Sequence, residues 1–109
     1  MKKIYLATPY TGTPEQEEER FQEACDIAGQ LIRQGAHVFS PIAHSHPIAT
    51  RSKLPIDHGF WIDFNRSWLE WADEVYVAKM RGWEQSRGVQ WEVLYAREAG
   101  KPVKFLEVA

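Results

Sequence analysis

Short apolar segments alternate with amphipathic segments along this chain, and this alternation limits its possible folds more than any other feature. The apolar segments are typical of buried strands and lie at residues 3–7, 37–40, 75–78 and 102–106. The amphipathic segments are expected to form helices at residues 14–34, from about residue 57 to 72, and from residue 86 to 100. Strands that alternate with helices form parallel sheets covered on both faces. The sequence therefore predicts a single three-layer α/β/α domain over residues 1–109.

The ends of two helices carry recognisable signals. Thr13 is a suitable N-cap before Pro14, and Gly35 is typical of a helix end. Ser86 is a suitable N-cap for the last helix. Residues 41–56 contain three prolines and are predicted to be a loop.

Composition and charge narrow the class of protein. The chain of 109 residues has a net charge of -2 and no basic stripe, so no nucleic-acid partner is expected. No apolar run approaches the ~20 residues that span a bilayer, so no membrane partner is expected. Met1-Lys2-Lys3 leads straight into a strand without a secretory signal, and the single Cys25 fits a reducing compartment. We therefore expect a cytoplasmic protein with Cys25 in its core.

The loops that follow the strands are the expected ligand site. In parallel sheets of this kind, ligands bind outside the carboxyl ends of the strands. Residues 8–14, 41–56 and 80–85 follow the first three strands and should therefore line a pocket.

Glu92 is a carboxylate on an apolar helix face. Val89, Val93 and Ala96 form the apolar stripe of the helix that follows Ser86, and Glu92 lies on the same side, one turn in. A polar residue in this position is a candidate site residue. Glu92 can equally stabilise the helix N-terminus through the macrodipole, and the spacing alone leaves both interpretations open.

The second helix carries two polar residues that helical geometry separates. Its apolar face contains Trp61, Phe64, Trp68, Trp71 and Ala72. Asn65 lies within about 80° of that face and Asp63 about 120° away from it, so a regular helix turns Asn65 inward and Asp63 toward water. A buried Asn needs hydrogen-bond partners, either in a loop backbone or in a ligand.

Motifs of several other chemistries are absent. His44 and His46 lie two residues apart without the further ligands that a metal site needs, and neither HExxH nor CxxC occurs. The sequence also lacks a nucleophile elbow, a P-loop and a GxGxxG motif. We expect no metal and no cofactor, and His46 is expected either to bond within its loop or to contact substrate.

An ordered set of segments resembles the nucleoside 2-deoxyribosyltransferase superfamily, in particular a small branch of bacterial and phage proteins. The resemblance covers nearly the whole chain. The segments are Ile4-Tyr5-Leu6-Ala7-Thr8-Pro9-Tyr10, Phe39-Ser40-Pro41-Ile42, Asp73-Glu74, Gly82-Trp83, Ser86-x-Gly88-x-x-x-Glu92 with Ala96, and Gly100-Lys101-Pro102-Val103.

The resemblance implies a fold and an activity. The fold is a flavodoxin-like parallel sheet of four strands, or five, in one nucleoside 2-deoxyribosyltransferase-like domain. The activity is cleavage or transfer at the N-glycosidic bond of a nucleoside, a nucleotide or a related ribosyl compound. A homo-oligomer, dimer or tetramer, is also implied.

The resemblance also implies roles for individual residues. Glu92 matches the nucleophile, Tyr5 the tyrosine that contacts it, and Ser86 the residue that holds the 5′ end of the sugar. The remaining substrate-binding residues are expected from their positions and not from the resemblance. They are Thr8, Pro9 and His46 in the loops of the predicted pocket, the inward-facing Asn65, and Gly88 beside Ser86 at the helix start.

Two departures from the family pattern bear on function. The family's general acid is an Asp, and its position is occupied here by Asn65. Asp63, the nearest carboxylate, can be the acid only through an altered helix start; otherwise protonation is done by another group or the activity is reduced to binding. The loop after the first strand also lacks the glycines and arginine that serve a 5′-phosphate. A non-catalytic nucleoside- or nucleotide-binding module is therefore the alternative function, and a structural or partner-binding domain is a third.

Overall fold

A parallel four-stranded sheet forms the centre of the molecule. The computed structural model describes residues 2–108. The strands are β1 (Lys3–Ala7), β2 (His37–Phe39), β3 (Glu74–Ala78) and β4 (Val103–Leu106), in the spatial order β2-β1-β3-β4. Each lies within one residue of its predicted position. In the central strand, Tyr5 pairs with Phe39 on one side and with Val75 on the other.

Helices cover both faces of the sheet. α1 (Pro14–Arg33) packs on one face through Ile27, Ala28 and Leu31. α3 (His58–Trp71) and α4 (Arg87–Glu98) pack on the other face, where Leu69, Val89 and Ala96 join the core. These three layers confirm the predicted α/β/α architecture with a flavodoxin-like sheet.

The predicted helix ends are confirmed. Thr13 and Gln16 form a capping box at the start of α1, and Gly35 follows its end with φ 99°. Asp57 caps α3, and Ser86 caps α4.

The predicted loop at residues 41–56 is wrong over most of its length, because Pro41–Ser52 forms a helix, α2. The Oγ of Ser40 accepts a hydrogen bond from the Ala43 N–H at 3.1 Å, and Pro41 occupies the first helical position, where it needs no N–H donor. Pro47 lies inside α2 and removes one backbone hydrogen bond. The buried face of α2 consists of Pro41, Ser45 and Ala49, four residues apart.

The strand order places the site. β1 and β3 are adjacent, while their connections leave toward opposite faces of the sheet. The chain therefore opens a crevice at the carboxyl ends of these two strands. No helix within residues 2–108 is long and apolar enough to cross a membrane.

Candidate active site

A cleft of about 820 Å³ lies at this crevice. Its wall is formed by the segment after β1, α2, the first half of α3, the loop after β3 and the start of α4. Its size is within the range of small-molecule sites. Seven of the nine residues predicted for the site line this cleft: Thr8, Pro9, His46, Asn65, Ser86, Gly88 and Glu92.

The Glu92 carboxyl group is held by the Tyr5 hydroxyl, which donates a hydrogen bond to Glu92 Oε2. Tyr5 is completely buried in β1, and Glu92 is only 5 % exposed. The two residues are distant in sequence, and the packing of α4 on β1 brings them together. The predicted contact between Tyr5 and Glu92 is confirmed.

Burial controls the ionisation of this pair. Loss of water around the carboxylate raises the pKa of Glu92 to about 8, and the hydrogen bond from Tyr5 acts in the opposite direction. Burial, followed by the negative charge of Glu92, raises the pKa of Tyr5 well above its usual value. Tyr5 therefore keeps its proton and remains a donor to Glu92.

The start of α4 contributes the next part of the wall. The Ser86 Oγ accepts a hydrogen bond from the Val89 N–H at 3.2 Å and so caps the helix. A Cβ atom on Gly88 would lie 3.7 Å from His58 Nδ1. Such a contact is an ordinary van der Waals distance, so Gly88 lies directly beside the His58 ring at the wall of the cleft.

Two buried oxygen atoms of the cleft residues have no hydrogen-bond partner within residues 2–108. They are Asn65 Oδ1 and Thr8 Oγ1. A buried polar atom without a partner costs about 1–3 kcal/mol. The sequence left two possible hydrogen-bond partners for Asn65, a loop backbone or a ligand. No backbone group within residues 2–108 donates to Asn65 Oδ1, so a donor on a ligand would remove this energetic cost.

The assignment of Asp63 as a catalytic acid is corrected by the structure. Its side chain is 86 % exposed, and Asp63 Oδ1 pairs with Arg66 Nη1 at 2.6 Å. Asp63 does not line the cleft. The reason is that α3 runs without interruption from His58 to Trp71, which turns Asp63 to solvent and Asn65 to the cleft.

Arg20 reaches the cleft, although the sequence pattern had predicted no arginine for this loop. Its Nη1 donates to the carbonyl oxygens of Tyr10 at 3.2 Å and Thr11 at 2.6 Å. Glu17, one turn earlier on α1, accepts a hydrogen bond from the Gly12 N–H at 3.3 Å. The spacing of three residues between Glu17 and Arg20 was the available signal, because it places both on the helix face that meets this loop.

Two further residues of the cleft, Tyr10 and His58, were not selected from the sequence, and Arg87 beside Ser86 also lines the cleft. His58 is the first residue of α3, and its ring meets that of Trp91 edge to face. Burial, followed by the positive charge of Arg87, lowers the pKa of His58. The sequence did contain a signal for His58, because it directly follows the Asp57 N-cap. In a fold of this kind the helices start at the carboxyl edge of the sheet, where ligands bind.

The two histidines of α2, His44 and His46, lie in different surroundings. His46 contacts Tyr10 and Glu18 and lines the cleft, whereas the His44 ring stacks on Phe64 outside it. Within residues 2–108, no group of three His, Cys, Asp or Glu side chains is placed to hold a metal ion.

Comparison with known proteins agrees with this architecture. A 2-deoxyribosyltransferase from the psychrotolerant bacterium Bacillus psychrosaccharolyticus has the same fold, with a TM-score of 0.66 and 24 % identity over 96 % of this chain and 72 % of that chain. The fold that the resemblance implies is thus confirmed. Residues 2–108 match the family described as a domain of unknown function, DUF1937, and the chain belongs to that family. No curated protein matches the sequence.

The buried Glu92 predicts a specific dependence of stability on pH. Because its pKa is raised from 4.5 to about 8, folding favours the protonated form. Its contribution to stability is complete below about pH 4.5 and is lost as the pH rises through about 8. Each pKa unit corresponds to ~1.4 kcal/mol. Glu92→Gln should therefore gain several kcal/mol relative to the wild type across this interval, in denaturant unfolding at a series of pH values.

Glu98→Gln is the matched control, because Glu98 is an exposed carboxylate on the same helix. Its stability curve should run parallel to that of the wild type. A Glu92→Gln curve that also runs parallel would contradict the raised pKa.

Proposed function

We propose that this protein cleaves or transfers the N-glycosidic bond of a nucleoside, a nucleotide or a related ribosyl compound, with Glu92 as the nucleophile. The observation that supports this most directly is a buried carboxyl group in a cleft of substrate size, hydrogen-bonded by a buried tyrosine. A carboxylate buried without a cation partner is costly and is typical of functional sites.

The chemistry of the bond requires such a group. An N-glycosidic bond breaks through a state with positive charge on the sugar, which a nearby carboxylate stabilises. Glu92 Oε then bonds to C1′ as the bond from C1′ to the base nitrogen breaks, and the base leaves with that electron pair and a proton. Water or a second base then attacks C1′ and releases the Glu92 carboxylate.

The hydrogen bond from Tyr5 adjusts the reactivity of Glu92. Burial favours the protonated, unreactive acid, whereas a donated hydrogen bond favours the carboxylate. Positive charge developing on the sugar favours the carboxylate further. Tyr5 therefore positions Glu92 and helps it to ionise without losing its own proton.

The other residues of the cleft provide groups for recognition. The first amides of α4 and the Ser86 hydroxyl suit a sugar hydroxyl or an anion. The unpaired oxygens of Thr8 and Asn65 suit donors of the sugar or the base. Arg20 and Arg87 add positive charge to the cleft, so a nucleotide phosphate is within the proposed substrate class.

A non-catalytic nucleoside- or nucleotide-binding module is the second candidate function. The observation that favours it is Asn65 at the position that the resemblance gives to the acid, because an amide does not exchange a proton at neutral pH. The homo-oligomer and the cytoplasmic location implied earlier stay predictions.

Turnover of a panel of purine and pyrimidine nucleosides and their 5′-monophosphates, followed by chromatography of the released base, tests the proposal. Glu92→Gln should lower turnover by more than about 10³-fold because the amide cannot attack C1′, and Glu98→Gln should retain it. Binding without turnover in the wild type would favour the binding module. Turnover that survives in Glu92→Gln would exclude the proposed nucleophile.

Two substitutions on α3 test where an acid can act. Asp63→Ala should leave turnover nearly unchanged, because its side chain points to solvent. Asn65→Asp adds a carboxylic acid to the cleft, and its gain in turnover measures how much of the ~10²–10⁴-fold contribution of a positioned general acid the wild type lacks. Loss of turnover in Asp63→Ala, measured on the same nucleoside, would contradict this assignment.

A further inference from the structure

Three side chains from three elements form a continuous hydrogen-bond chain at the wall of the cleft. Tyr10, in the segment after β1, lies with its hydroxyl 2.6 Å from His46 Nδ1 on α2. His46 Nε2 lies 3.1 Å from Glu18 Oε1 on α1. Tyr10 and His46 both line the cleft that contains Glu92, while Glu18 lies behind them.

We propose that Tyr10 is the proton donor to the leaving base, and that His46 and Glu18 are positioning residues that supply Tyr10 with its proton. This inference rests on the proposed function, and it assigns the general-acid role that the Asn65 amide cannot fill. Tyr10 is the member of the chain that would touch the substrate.

Packing fixes the order of the three groups. The His46 ring stacks on Phe21 of α1 with ring centres 4.6 Å apart, and its side chain is only 12 % exposed. The ring therefore presents one nitrogen to Glu18 and the other to Tyr10. Hydrogen bonds from Gln22 and His46 lower the pKa of Glu18, so Glu18 stays a carboxylate that accepts from Nε2–H.

The direction of the second hydrogen bond depends on His46. When the ring is neutral, Nε2–H faces Glu18 and the bare Nδ1 accepts the hydrogen bond of the Tyr10 O–H. When the ring is protonated, Nδ1–H donates to the Tyr10 oxygen and leaves the phenol proton free for the cleft. The chain therefore donates a proton in one state and accepts one in the other.

Tyr10 needs this support because it does not release a proton unaided. Burial and the charges of Glu17 and Glu18 raise the pKa of Tyr10 to about 12. Arg20 bonds to the carbonyl oxygen of Tyr10, not to its hydroxyl. Departure of the phenol proton is thus coupled to its replacement from His46.

The proton balance closes over both half-reactions. In the first, Glu92 Oε bonds to C1′, the bond from C1′ to the base nitrogen breaks, and that nitrogen takes the Tyr10 proton while His46 Nδ1–H reprotonates Tyr10. In the second, water attacks C1′, the ester to Glu92 breaks, and the water proton passes through Tyr10 to His46. The protein ends with a carboxylate at Glu92 and a protonated His46, as it began.

Other acids near the cleft are less suited to this role. The lowered pKa of His58 keeps it neutral near pH 7. Asp57 is exposed and uses Oδ2 to accept the Phe60 N–H at 3.0 Å as the cap of α3. Asp63 lies outside the cleft.

Substrates that differ in their need for a proton test the inference. Tyr10→Phe and His46→Gln should each lower kcat by ~10²–10⁴-fold on an ordinary nucleoside of the panel. Both should retain kcat within about threefold on 7-methylinosine and on 4-nitrophenyl ribofuranoside, whose leaving groups need no proton, since only the acid-dependent part of the rate is lost. Tyr95→Phe and Glu19→Gln, which alter residues outside the cleft, are the matched controls.

One further readout separates proton transfer from a structural role. Asn65→Asp should restore turnover of the ordinary nucleoside to Tyr10→Phe by supplying another acid.

Each contrary outcome has its own meaning. Equal losses of kcat on ordinary and activated substrates, or full activity of both variants on the ordinary nucleoside, would overturn the relay while the proposed function stands. A wild-type protein that cleaves none of these substrates overturns the proposed function, and the relay with it.

Discussion

The hydrogen bond between Tyr5 and Glu92 is the interaction on which the rest of the candidate site depends. It joins the central strand to α4 and holds a nearly buried carboxyl group at the cleft. The Tyr5 ring in turn packs on Phe39, with ring centres 5.9 Å apart, and Phe39 stacks on Trp68 at 4.3 Å. The position of Glu92 is therefore fixed by the core of the domain rather than by a loop.

The same burial creates a conflict between stability and reactivity. A carboxyl group in an apolar core is most stable when protonated, whereas a nucleophile must be ionised. Among residues 2–108, the Tyr5 hydroxyl is the one group that hydrogen-bonds the Glu92 carboxyl group, and it resolves the conflict only in part. Activity on a ribosyl bond would place positive charge beside Glu92 at the moment when its negative charge is needed.

The sequence predicted the scaffold well because its signals are local. Caps at Thr13 and Ser86, the glycine after α1 and the apolar strands each depend on near neighbours. Helical geometry also separated Asn65 from Asp63, since α3 is regular. The helix α2 was missed because the three prolines of residues 41–56 outweighed the four-residue spacing of Pro41, Ser45 and Ala49.

The remaining parts of the site depend on contacts between distant segments. Arg20 reaches a loop that its own helix follows, and His46 meets Tyr10 only because α2 packs on α1. That Asn65 occupies the position where the resemblance expects an acid was visible in the sequence, but a replacement could not be proposed without the positions of these side chains. Long-range placement, not residue type, was the missing information.

The proposed function depends most on a covalent bond between Glu92 and C1′ of the sugar. Fluorine at C2′ slows both capture and release of the sugar, because both steps pass through a positively charged sugar. In a 2-fluoro analogue of 4-nitrophenyl ribofuranoside the good leaving group keeps capture fast, so the ester between the sugar and Glu92 should accumulate. Mass spectrometry of the quenched protein, with mapping of the modified peptide, should find one fluorinated sugar on Glu92, absent from Glu92→Gln. Turnover of the unfluorinated nucleoside with the sugar attached to a different residue, or with inversion at C1′ and no attachment, would contradict the account.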